Sequence, residues 1–266
     1  MTVVLHRGGN IQTFQENSYE IITDFFRNFD TYKNKYNGIE IDIVELVDND
    51  FVLMHSAKDS ERLTGKKINL IKLKRKDINL VKIQKNIVNE SDDKLVYNYD
   101  NEASFIFLDK VFDMYSKHKD KQEITLVLDF KSISYKGCTK LKELIIEYDI
   151  PNNNLILSNS NIFSVYAISK ILPNIDKEWT CILGNVYTQL PYALEYMYCY
   201  ILSILLKNWN VYAISLQVDV KLEKKMFFYN NNYNLSFFGL NYEDIMKRQD
   251  ELSKYKVRYY CVDYNN

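Results

Sequence analysis

Eight short apolar segments recur along the chain with helix-like stretches between them, and this alternation restricts the fold more than any other feature. The strand candidates are residues 2–6, 38–44, 124–130, 155–158, 180–184, 212–216, 235–240 and 258–263. Helical patterns fall at 17–30, 104–119, 139–148, 161–171, 187–206, 219–229 and 242–254, the last opening on Asn241 as N-cap with Glu243 and Asp244 in its first turn. Strands joined through helices pair in parallel, because a parallel connection needs about a dozen residues or more. Eight of them in 266 residues, with no linker or internal repeat, predict one domain over 1–266: a closed (β/α)8 TIM barrel. An open doubly wound sheet is the alternative.

One strand breaks the alternation. FVLMH (51–55) follows GIEIDIV (38–44) too closely for a crossover, so the two form a β-hairpin after the second strand. A two- or four-residue loop places His55 on the sheet face of Asp42, and a three-residue loop places it opposite. The expectation is the same face.

The second strand itself is unusual. Ile39, Ile41 and Ile43 alternate onto one face, which leaves Glu40 and Asp42 side by side on the other. Two carboxylates held that close repel each other. Barrel active sites lie at the C-terminal ends of the strands, and the other ionisable residues fall at that end too. His6 ends the first strand and leads into Arg7-Gly8-Gly9; Val127, Asp129 and Lys131 share one face of the third. Glu40, Asp42 and Asp129 are three hard oxygen donors suited to Mg²⁺ or Ca²⁺, and a divalent cation lets the paired carboxylates stay ionised. Arg7 and Lys131 can neutralise an anionic substrate, and His6 and His55 can exchange protons near neutral pH. This set points to metal-assisted cleavage of a phosphodiester or phosphomonoester.

Composition narrows the classes further. A formal net charge of −1 argues against nucleic acid as a partner. Cys138, Cys181, Cys199 and Cys261 form no CxxC pair and read as core residues, without a disulfide framework or zinc site. His118, among charges in YSKHKDK, reads as solvent-facing. The start of the chain lacks the pattern of a signal peptide, and the apolar run 192–206 is too short to span a bilayer and contains Glu195. A cytoplasmic location is expected, with no transmembrane segment.

Taken together, these residues resemble the glycerophosphodiester phosphodiesterases and the related spider-venom sphingomyelinase D toxins. The resemblance rests on HRG (6–8), QENS (15–18) where that family has PENT, and E-x-D at Glu40 and Asp42. It continues through Asp48 in the hairpin turn, His55 thirteen residues after Asp42, LTG (63–65) and DFK (129–131), with weaker echoes in ILPN (171–174), FFGLN (237–241) and VDY (262–264). The resemblance implies a barrel in which Glu40, Asp42 and Asp129 bind one divalent cation, Mg²⁺ or Ca²⁺. It implies His6 and His55 as the acid–base pair, with Arg7 and Lys131 on the substrate phosphate. His55 is assigned as base and His6 as the acid that protonates the leaving alcohol.

Two positions depart from the pattern. Ser56 stands where the family has Asp after the second His, and Asp129 stands where most of its phosphodiesterases have Glu; the toxins share Asp-x-Lys, but this chain lacks their disulfide-bearing loop. The leading expectation is a metal-dependent phosphodiesterase that converts a glycerophosphodiester to an alcohol and sn-glycerol 3-phosphate or its cyclic form. The substrate is then a small-molecule phosphodiester or a lysolipid. The alternatives are phospholipase-D-like cleavage of lysophospholipids or sphingomyelin, and a non-catalytic barrel that acts as a binding protein.

Overall fold

The computed structural model describes residues 1–56, 59–88, 96–98, 103–181, 192–211, 213–217 and 233–264. Eight parallel strands close on themselves: β1 (Val3–Leu5), β2 (Gly38–Glu45), β6 (Thr125–Ser132), β7 (Leu155–Asn159), β8 (Asp176–Cys181), β9 (Ala213–Gln217), β10 (Asn234–Leu240) and β11 (Val257–Val262). Closure is made by β1, which pairs in parallel with both β11 and β2. Among the described residues, three further strands lie between β2 and β6 in the chain: β3 (Phe51–Leu53) runs antiparallel to the C-terminal half of β2, and β4 (Asn86–Val88) pairs with β5 (Val96–Asn98). This is the expected (β/α)8 barrel with a hairpin on its second strand. The predicted helix at 219–229, the first residues of the predicted helix at 187–206 (187–191) and the ends of two strand candidates (182–184 and 212) lie outside the described residues.

The period of two along each strand separates two environments. Outward-facing Ile39, Ile41, Ile43, Leu126, Leu128, Phe130, Leu155 and Leu157 are fully buried beneath the helices, in one core with Phe25, Phe29, Phe112, Leu141 and Ile168. The helices begin where side chains satisfy their free N–H groups. Ser18 accepts from the Ile21 N–H, Ser134 from Gly137, Asn161 from Phe163 and Asn241 from Asp244. The inward face holds a much smaller apolar cluster of Val4, Val127, Ile156, Tyr259 and Cys261. Phe238 packs on that cluster, and most of the other side chains that face the barrel axis toward the C-terminal mouth are polar or charged.

Two local expectations need correction. The hairpin pairs Ile43 with Leu53 and Glu45 with Phe51 across a five-residue loop (46–50). That odd loop sets Met54 opposite Asp42, and the Met54 N–H donates to the Asp42 carbonyl at 3.0 Å. A regular strand would therefore turn His55 away from Asp42; instead pairing stops at Leu53 and a bend at His55 brings the imidazole into the mouth. His118 is not simply solvent-facing. It ends the helix Leu108–Lys117, its ring meets Phe29 edge-on at 5.5 Å, and its Nε2 lies 3.0 Å from the Phe26 carbonyl oxygen. Cys138 and Cys261 are buried and free, as expected of core residues.

Candidate active site

A cavity of about 240 Å³ opens at the C-terminal mouth of the barrel, and six predicted site residues line it: His6, Glu40, Asp42, His55, Asp129 and Lys131. Strand register explains the convergence. Asp42 on β2 and Asp129 on β6 are direct partners, while Glu40 lies one inward position below Asp42. One oxygen from each of Glu40, Asp42 and Asp129 lies within 4.8 Å of the others. Lys131 bridges two of them, with Nζ 2.5 Å from Asp42 Oδ1 and 2.6 Å from Asp129 Oδ2.

Burial makes this cluster electrostatically tense. Glu40 is pushed up to about 7, first by burial and then by the neighbouring Asp42 charge. Burial also works against ionising Asp42, but Lys131, His55 and Arg7 outweigh it and hold the carboxyl well below the usual range. Asp129 is raised by burial, with Lys131 opposing. Burial opposes the protonated lysine as well, yet the carboxylates around Lys131 raise its pKa and keep it charged. Burial and mutual repulsion disfavour ionising Glu40 and Asp129, and the oxygen-only donor set fits a hard divalent ion.

Each histidine is held through its Nδ1 by an acid that sequence reasoning did not assign. Asp263, just past β11, lies 2.8 Å from His6 Nδ1, and Asp59 lies 3.3 Å from His55 Nδ1. Burial lowers the pKa of His6, but the Asp263 hydrogen bond and the charge of Glu40, whose Oε2 is 4.0 Å from Nε2, raise it overall. Asp59 comes four residues after His55.

The turn after β1 positions several of these groups at once. Arg7, Gly8 and Gly9 all have positive φ (52°, 93° and 143°), and the turn aims the Arg7 N–H at Glu40 Oε2, 2.9 Å away. The Arg7 guanidinium does not line the cavity. Its Nη1 donates to Glu16 at 2.6 Å and its Nε sits 3.8 Å behind Asp42, while Arg62 donates to the other oxygen of Glu16. Asn17 clamps Asp42 from both sides: its Nδ2 donates to Oδ2 at 2.8 Å, and its Oδ1 accepts the Asp42 N–H at 3.1 Å. Glu16 and Asn17 belong to QENS and Asp263 to VDY, so the motifs were visible although the partnerships were not.

Beneath the carboxylates the cavity floor carries hydroxyls from Ser158, Thr180, Ser215 and Tyr259. Ser158 and Thr180 hydrogen-bond each other, and Tyr259 and Ser236 both donate to the fully buried Glu178. Barrel interiors of this type are ordinarily filled by branched apolar side chains. A polar floor suits a ligand with hydroxyl groups.

Fold and site together define a (β/α)8 barrel with a carboxylate cluster, a lysine and two acid-supported histidines at its catalytic end. No family model matches the chain, and no curated protein matches it in sequence. Solved structures do match its fold. A Silicibacter pomeroyi protein assigned provisionally as a glycerophosphoryl diester phosphodiesterase superposes with a TM-score of 0.72 at 14% identity, over 99% of this chain and 90% of that one. An Oleispira antarctica phosphodiesterase in complex with the product sn-glycerol-3-phosphate gives 0.66 at 15% identity, over 99% and 93%. A glycerophosphodiester phosphodiesterase from Agrobacterium tumefaciens gives 0.62 at 13% identity, over 99% and 96%.

Proposed function

We propose that the protein is a metal-dependent phosphodiesterase that cleaves glycerophosphodiesters to an alcohol and sn-glycerol 3-phosphate. The observation that carries this reading is the pairing of two carboxylate-supported histidines with an acidic cluster and Lys131 in one cavity. The fold shared with glycerophosphodiester phosphodiesterases supports it, as does the product bound to the Oleispira antarctica enzyme.

Glu40, Asp42 and Asp129 would hold one divalent cation, Mg²⁺ or Ca²⁺. Such an ion offsets the charge of the phosphate and acidifies a substrate hydroxyl. Lys131 contacts the phosphate, and Arg7 adds positive charge from behind Asp42. With Nδ1 tied to Asp59, His55 takes the proton of the substrate's neighbouring hydroxyl at Nε2 as that oxygen attacks phosphorus. His6, protonated and held by Asp263, donates to the oxygen of the departing alcohol as its bond to phosphorus breaks. Water then opens the resulting cyclic phosphate: His6 takes the water proton and His55 returns one to the sugar-alcohol oxygen. The Asp263 hydrogen bond and the charge of Glu40 favour the protonated form of His6 against burial, as a general acid requires. The hydroxyl floor accommodates the polyol.

The test is glycerol phosphate release from glycerophosphocholine after EDTA treatment, and again after Mg²⁺ or Ca²⁺ is restored. Metal-dependent release that is lost in both His6→Asn and His55→Asn supports the reading. Turnover retained by both variants defeats the acid–base scheme, and absence of release with either metal from folded protein defeats the substrate assignment.

A further inference from the structure

The segment KKINLIKLKRKDINLVKIQK, residues 66–85, holds eight lysine or arginine side chains against Asp77 alone, in a chain whose formal net charge is −1. Such local excess of one sign is a feature of its own surface, not of the whole molecule. The segment is anchored by a second core: Leu70, Ile78 and Ile83 are buried with Val44, Val52 and Met54 of the hairpin and with Phe107. Arg75 is drawn into this anchor, 2.9 Å from Asp109 and with its guanidinium 4.3 Å above the Phe107 ring.

Anchoring turns the remaining charges outward. Lys66, Lys67, Lys72, Lys74, Lys76, Lys82 and Lys85 are all exposed. Among the described residues, Lys66, Lys67, Lys72, Lys74 and Lys76 form no ion pair with a carboxylate. Aliphatic side chains stand exposed among them: Leu80 is 84% exposed, Ile71 44% and Val47, at the hairpin tip, 57%. The Val47 N–H reaches the Leu73 carbonyl at 3.4 Å, so hairpin tip and basic segment share one surface. That surface lies at the mouth end of the barrel, because the hairpin continues the C-terminal end of β2 and Arg62, shortly before Lys66, shares Glu16 with Arg7.

We infer that this face docks on the surface of an anionic lipid bilayer and turns the mouth of the cavity toward it. Dense lysines beside exposed aliphatic side chains match a negatively charged headgroup layer over a hydrocarbon interior. Surfaces that grip single-stranded nucleic acid combine basic residues with aromatic rings for stacking, and residues 66–85 contain no aromatic residue. The docking is independent of which phosphodiester the cavity cleaves.

The experiment is co-sedimentation of the full chain with vesicles of phosphatidylcholine alone and of phosphatidylcholine mixed with phosphatidylglycerol. Binding is expected only to the mixed vesicles and is lost when salt rises from about 0.1 M to about 0.5 M. A lysine beside an anionic leaflet contributes about fivefold to partitioning, so joint replacement of Lys66, Lys67, Lys72 and Lys76 by Gln weakens binding by about a hundredfold or more. Leu80→Ser weakens it severalfold without changing charge. Equal replacement of Lys117, Lys119, Lys207 and Lys254, on helix ends away from the mouth, leaves it unchanged. Absence of binding to the mixed vesicles at low salt overturns the inference. So does binding unaffected by the mouth-side replacements, or capture of single-stranded RNA in preference to vesicles.

Discussion

Asp263→Asn separates the charge of Asp263 from its shape. The carboxylate lies 2.8 Å from His6 Nδ1, and an amide oxygen can accept the same hydrogen bond without the negative charge. A hydrogen bond to a charged group is worth about 1.5–3 kcal/mol and a neutral one about 1 kcal/mol. The Asp263 side chain is 57% exposed, so solvent screening trims the difference to about 1 kcal/mol. The His6 pKa is therefore lower in the variant. The chain has only three histidines, so an NMR titration of the imidazole resonances in EDTA can follow each one. Glu40 is itself pushed up to about 7 and its charge acts on His6, which makes the difference between the two proteins the observable rather than either absolute value. His118, packed against Phe29 and remote from the barrel mouth, serves as the internal control. A His6 pKa unchanged or raised in folded Asp263→Asn would refute the idea that this carboxylate holds His6 in its protonated form.

Three further outcomes follow from the same geometry. Asn17→Ala removes both hydrogen bonds that orient Asp42 and should weaken Ca²⁺ or Mg²⁺ binding by about 10–100-fold in calorimetry, whereas an unchanged affinity would place the metal elsewhere. Glu40 has a folded pKa of about 7 against an ordinary 4.5, so between those values the folded chain retains a proton that the unfolded chain releases. Metal-free protein should therefore lose stability as pH rises through that window, seen as a falling urea midpoint, and Glu40→Gln should flatten the slope. Gly38 on β2 is the direct partner of Thr125 on β6: a Cβ there would stand 1.9 Å from the Thr125 carbonyl oxygen. Gly38→Ala should cost about 3 kcal/mol in denaturant unfolding, and a loss below about 1 kcal/mol would mean that the strands can part without penalty.

Strand periodicity was legible in the sequence because it is a property of the backbone alone. The alternation of Ile39, Ile41 and Ile43 with Glu40 and Asp42 requires one apolar and one acidic face wherever that strand lies, and the short step to FVLMH requires a hairpin. From such patterns the barrel and the acidic cluster followed. What the chain could not reveal locally is which side chains meet after closure. Asp263 supports His6 across 257 positions, and the hydroxyls of Ser158, Thr180 and Ser215 form a floor only because three strands align in register. The contact of the Arg7 guanidinium with Glu16 likewise depends on the positive-φ turn after the first strand. His55 reached the cavity through a bend that no pairing rule contains. Periodicity is set by bond geometry within a few residues, whereas partnership is set by the register of eight strands around a closed barrel, and only the folded structure supplies that register.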